Sequence, residues 1–120
     1  MKKPPKYKYK LKENDIKKMV KQYLTLAEWF HFHILAGLGS FLGIPDMIAI
    51  KNGRVLFLEI KKPGGKLSPG QIIFRDMILY HGGEYYKIDD LDRLIEVTSE
   101  TYTISYIIGE GKNTNKIGGK

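Results

Sequence analysis

Two carboxylates and a lysine cluster around one tight turn in this chain. Asp46 precedes the apolar run Met47–Ile50, Glu59 and Lys61 end the run that starts at Val55, and Lys51-Asn52-Gly53-Arg54 lies between the runs. Asn-Gly readily takes the two positive φ angles of a type I′ turn, so the segment predicts a β-hairpin. With Asn52 and Gly53 as the turn, Lys51 faces Arg54, and the register continues until Asp46 faces Glu59. Directly opposed side chains have Cβ atoms about 4.5–5.5 Å apart, and like charges at that spacing destabilise the pair. A divalent cation between the carboxylates removes the penalty, because it becomes the largest local charge and takes anionic oxygens as ligands. The period of two along a strand aims Lys61 from the same face as Glu59. A hard cation held this way can bind a phosphate oxygen and acidify a water. A lysine beside it can orient or deprotonate that water, or stabilise charge developing on the phosphorane. The set suits hydrolysis of a phosphodiester. The same spacing also suits a plainer arrangement, with Asp46 a turn residue after Pro45 and Glu59 and Lys61 a solvated ion pair.

Other reactive side chains carry weaker signals. His31 and His33 share one strand face, and such a pair can bind a metal, but no third ligand is fixed near them and two polar residues on a half-exposed strand explain them as well. His81 precedes Gly82 and reads as a helix end. Ser68 has no His or Lys placed to activate it and reads as a helix cap. Lys62 and Lys66 are phosphate contacts beside the carboxylates, or ordinary solvated lysines. The absence of cysteine excludes disulfides, thiolate metal sites and cysteine nucleophiles, so any metal must sit on oxygen or imidazole.

The elements that must position these residues follow from periodicity. Ile16, Met19, Val20, Tyr23 and Leu24 mark an amphipathic helix near 14–27, with Asn14 or Asp15 as its cap. Phe30, Phe32 and Ile34 alternate with the two histidines in a strand, and a glycine-rich loop runs over 35–43. Both hairpin strands are apolar on both faces, which places them mid-sheet and covered on each side. Ser68-Pro69-Gly70-Gln71 forms a capping box with proline at the first helical position, and Ile73, Phe74, Met77, Ile78 and Tyr80 carry that helix to Gly82-Gly83. A strand over Tyr85–Ile88, a helix capped by Asp89 or Asp90, and a last strand over 101–108 complete the pattern. The expected fold class is α/β, a mixed central sheet flanked by helices.

The chain has 120 residues, 42% hydrophobic and 28% charged, enough for one core and one domain. Its net charge of +7 is uneven: residues 1–22 carry nine lysines and two acids, while the rest of the chain sums to zero. The basic character belongs to an arm over 1–12, where Lys6, Lys8, Lys10 and Lys12 are interleaved with Tyr7 and Tyr9. Such a composition neutralises phosphates and stacks on bases; it also suits a solvated leader. Residues 13–108 read as the folded domain and 109–120 as a flexible tail. Pro4-Pro5 and the lysines stand where a signal peptide needs an apolar stretch, and Trp29–Ile44 falls short of a membrane span. A cytoplasmic protein is expected.

Ile44-Pro45-Asp46, the hairpin, and Glu59-Ile60-Lys61 resemble the PD-(D/E)xK nuclease signature. More specifically, the run from Gly43 through Lys61-Lys62-Pro63-Gly64-Gly65-Lys66-Leu67-Ser68 to Gln71 resembles the core of the virus-type replication–repair nuclease (VRR-NUC) family. The resemblance is close over 43–83 and looser over 13–42; the leader and residues 101–120 have no counterpart in it. It implies a restriction-endonuclease-like core in which Asp46, Glu59 and the backbone carbonyl of Ile60 bind Mg²⁺ or Mn²⁺ and Lys61 is the catalytic lysine. Glu13 in Glu13-Asn14-Asp15-Ile16 matches an acid on the family's first helix and is a candidate further metal ligand, or simply an acid favouring a helix N-terminus. Gln71 matches the family's glutamine and is a candidate catalytic residue, although a capping glutamine already has a structural role. The implied activity is a metal-dependent DNA endonuclease acting in replication, repair or recombination on branched DNA. Short members of the family come largely from phages and bacteria and are similar to Holliday-junction resolvases, which act as homodimers. One active site per chain and symmetric cutting of two strands call for a dimer, with Trp29, Phe41 and 101–108 as candidate contacts. The alternative is a non-catalytic nucleic-acid-binding module.

Overall fold

The computed structural model describes residues 10–35 and 41–99. In chain order the elements are α1 (Glu13–Leu26), β1 (Phe30–His33), β2 (Met47–Lys51), β3 (Arg54–Ile60), α2 (Pro69–Tyr80), β4 (Glu84–Ile88) and α3 (Leu91–Val97). Four strands form one mixed sheet in the order β1-β2-β3-β4. The β1–β2 and β2–β3 pairs are antiparallel, and β4, reached through α2, is parallel to β3.

The hairpin closes as its turn residues dictate. Asn52 and Gly53 take φ values of 53° and 81°, and the ladder runs from Lys51↔Arg54 to Met47↔Leu58 in the expected register. Alternation then divides the two faces. Met47, Ala49, Leu56, Leu58 and Ile60 are buried with Ile16, Val20 and Leu24 of α1 and Leu94 and Val97 of α3 in one core. Phe57 points the other way and meets Phe74 of α2, with ring centroids 6.1 Å apart, and Phe74 also meets Tyr85 at 6.4 Å.

Three expectations change. The cap of α1 is Lys12; Asp15 sits three residues on, and its carboxylate accepts the Lys12 backbone N–H at 2.7 Å. The hairpin is central but unevenly covered, because α2 lies over Phe57 and Tyr85 while Phe30 of β1 stays 65% exposed on that face. Trp29 is only 6% exposed, under the Arg54 guanidinium 5.8 Å from its ring, so it offers no surface to a second chain. Arg54, placed beside the turn, is itself buried: it donates to both Glu84 oxygens, at 3.0 and 2.6 Å, and to the Val97 carbonyl. Phe41 is exposed and packs edge-on against Phe74. The expected strand over 101–108, the tail over 109–120 and most of the arm, including Lys6 and Lys8, lie outside the described residues. Among the described residues no helix is long and apolar enough to cross a membrane.

Candidate active site

Asp46 sits where the β2–β3 ladder ends. One carboxylate oxygen, Oδ2, accepts the Ile60 N–H at 2.7 Å, and its backbone carbonyl accepts the Ile34 N–H at 2.8 Å. The side chain therefore caps the sheet, tied to the residue that follows Glu59. Gly43 permits this. Its φ is +81°, and a Cβ there would collide with the Gly70 backbone in the first turn of α2. Only glycine lets the Ile44-Pro45-Asp46 segment lie directly against the helix that carries Gln71.

Glu59 faces the α2 side of the sheet and is 4% exposed. Gln71 Nε2 donates to its Oε2 at 3.1 Å, and Lys61 Nζ lies 3.8 Å from the same oxygen. The other oxygen, Oε1, is buried with no hydrogen-bond partner. Burial first, and then the negative charge of Asp46, push the Glu59 carboxyl up to about 8, with Lys61 opposing. A buried acid raised by desolvation and a second acid is the environment in which a bound cation is most stabilising, since it supplies the missing counter-charge. Gln71 joins the helix cap to the acid. Its Oε1 accepts the Ser68 N–H at 2.8 Å in the capping box while its Nε2 holds Glu59.

The acid on the first helix, Glu13, stands in the first turn of α1. Glu13 lies 3.2 Å from Lys17 Nζ, one turn along α1, and Lys17 Nζ lies 3.6 Å from Asp46 Oδ1. Glu13 is thus linked to Asp46 through the Lys17 ammonium. Partial burial works against the Lys17 charge, but Asp46 and Glu13 outweigh it and hold the ammonium above its ordinary range. Among the described residues no three acidic or histidine side chains stand together as a ready ligand set. The donors that are present, Asp46 and the unpartnered Glu59 oxygen with the Ile60 carbonyl next along the strand, are hard oxygens of the kind that suit Mg²⁺ or Mn²⁺.

Beside the N-terminus of α1, a cleft of about 650 Å³ is lined by Lys10, Leu11, Lys12, Glu13, Lys62 and Pro63. Lys10, Lys12 and Lys62 meet there although they are distant in sequence, and Glu13 joins the cleft to the carboxylates. Lys66 is exposed on the same β3–α2 connection. That connection is pinned from β4, where Lys87 Nζ donates to the Gly65 carbonyl at 2.9 Å. His31 pairs with Thr25 at 3.1 Å on β1, away from the carboxylates, and burial followed by the charges of His33 and Lys21 lowers its pKa. His81 is the C-cap of α2.

Tyr85 carries no signal in the sequence beyond its place in a strand. It lies beside Phe57 in the β3–β4 ladder on the Glu59 side, and its hydroxyl is buried without a hydrogen-bond partner. Burial, and then the Glu59 charge, push the phenol above its usual range. In sequence it was one of two adjacent tyrosines in a short apolar strand, and only the parallel register with β3 brings it toward Glu59. No family model and no curated protein matches this chain.

Proposed function

We propose that this chain is a metal-dependent DNA endonuclease on a restriction-endonuclease-like core, as its resemblance to the VRR-NUC family implies. The observation that carries the reading is Glu59. An acid buried to 4% exposure, with one oxygen unpartnered and a second acid beside it, is costly to ionise unless a cation joins it. Asp46, Glu59 and the Ile60 carbonyl would hold Mg²⁺ or Mn²⁺, which when bound supplies Lewis acidity and a water of lowered pKa. The Ile60 N–H keeps Asp46 oriented, and Gln71 keeps Glu59 oriented. Lys61, already 3.8 Å from Glu59 Oε2, presents its ammonium to the incoming phosphodiester, where it orients the attacking water or neutralises charge developing on the phosphorane oxygens. Lys10, Lys12 and Lys62 line a path for the phosphate backbone toward these groups, with Lys66 beside it and Lys6 and Lys8 adding reach.

The substrate is structured DNA of a junction-resolvase type, cut by a homodimer in the cytoplasm of a bacterial or phage-infected cell. Incubation with branched, flapped, single-stranded and duplex DNA in Mg²⁺, Mn²⁺ or EDTA, beside Asp46→Ala and Lys61→Ala, tests the activity. Metal-dependent cleavage lost in both variants is expected. No cleavage of any substrate, or cleavage undiminished in both variants, overturns it. A second reading, a non-catalytic nucleic-acid-binding module, draws on the lysines that already neutralise Asp46 and Glu59. That module would bind DNA equally well in EDTA and in Mg²⁺.

A further inference from the structure

We infer that Lys17 is a built-in cation of the site, and that by holding Asp46 and Glu13 it restricts the carboxylate cluster to one divalent ion. The inference rests on the metal-binding reading of Asp46 and Glu59 and decides the number of ions. Lys17 follows the buried Ile16 on α1, so the packing of α1 sets where its side chain emerges. From there its ammonium reaches Glu13 at 3.2 Å and Asp46 Oδ1 at 3.6 Å. The oxygens of the cluster are then divided up. Asp46 Oδ2 is held by the Ile60 N–H, Asp46 Oδ1 lies beside Lys17, and Glu59 Oε2 faces Gln71 and Lys61, while the buried Glu59 Oε1 has no donor.

Charge leads to the same count. Glu13 and Lys17 from α1, Asp46 before β2, and Glu59 and Lys61 from β3 bring three carboxylates and two ammonium groups. The excess is one negative charge when Glu59 is ionised. One divalent ion and one phosphodiester anion then balance the site, whereas a second ion would leave it two charges positive. Two-ion sites hold their metals about 3.5–4 Å apart, with carboxylates serving both. Here the carboxylate that could serve a second ion, Glu13, is already neutralised by Lys17.

Manganese titration of the full chain by calorimetry, with electron paramagnetic resonance to detect coupled Mn²⁺ pairs, tests this without DNA. The wild type and Lys17→Arg, which keeps the charge, should each bind one ion. Lys17→Met should bind two and show a coupled signal, and adding Glu13→Gln should restore one. Two ions in the wild type overturn the inference whether or not Lys17→Met folds; so do one ion in a folded Lys17→Met variant, or two retained after Glu13→Gln. Failure of the underlying reading looks different: no Mn²⁺ binding by the wild type, and no change on Glu59→Gln, removes the metal site and this inference with it.

Discussion

Glu59 shows how a single buried acid ties stability to function. Its carboxyl titrates near 8 in the fold against 4.5 as an ordinary glutamate, so between those values the folded chain keeps a proton that the unfolded chain has released. Stability therefore falls as pH rises through that window, by ~1.4 kcal/mol per pH unit where the difference is complete. The melting temperature of the wild type should drop between pH 5 and pH 8, whereas Glu59→Gln should flatten the dependence and melt higher at pH 8. Saturating Mn²⁺ should reverse the loss in the wild type alone, by about 2.7 kcal/mol at a hundredfold excess over Kd. An unchanged pH profile in Glu59→Gln would show that burial is not what sets this acid. At this scale the sequence was informative about residue types and blind to their partners. Gln71 was legible as a cap; that the other end of the same amide holds Glu59 depends on how α2 lies against β3.

Element ends follow local rules with one exception. Both α1 and α2 finish in the same six-residue motif: the N–H groups of Glu28 and Trp29 return to Thr25 and Leu24, and those of Gly82 and Gly83 return to Leu79 and Ile78. The residue that turns left-handed is Gly82 in α2, with φ 84°, but Glu28 in α1, with φ 64°. A non-glycine residue pays a steric penalty there. Glu28→Gly should therefore stabilise the protein by about 0.5–1 kcal/mol, read as a higher denaturant midpoint at unchanged slope; a lower midpoint would contradict the strain. The Asn52-Gly53 turn and the Ser68 capping box could be read directly because each depends on residues within four positions. The cap of α1 could not, since a carboxylate reaching back from Asp15 serves as well as one at the cap itself.

Across the whole molecule, a buried charge pair ties β3, β4 and α3 together. Arg54 and Glu84 are bonded through two hydrogen bonds, Tyr86 donates to Glu84 at 2.6 Å, and Arg54 also reaches Val97. Removing one partner strands the other charge, so Arg54→Met or Glu84→Leu alone should cost about 3–5 kcal/mol, while the double substitution should recover most of it. Denaturant titration of the three variants gives the coupling, and additive losses would contradict it. The arm acts over a longer range. Deleting residues 1–9 removes Lys2, Lys3, Lys6 and Lys8 and leaves the Lys12 cap in place. If those four contact phosphate, the slope of log K against log salt should flatten by about 3.6; an unchanged slope would make the arm a passive leader.

By itself the sequence determined what depends on neighbours along the chain: the hairpin and its register, the capping of α2, the amphipathic face of α1, and the carboxylate–lysine set that register places at one end of the sheet. These follow from periodicity and turn stereochemistry, which act over a few residues. Only the tertiary structure decided which groups from different elements meet. Lys17 beside Asp46, the basic cleft joining Lys10 and Lys12 to Lys62, Tyr85 under α2, and the burial of Arg54 all depend on how helices dock on the two faces of the sheet. That docking follows from the packing of apolar faces, a sum over many distant contacts that no local pattern contains.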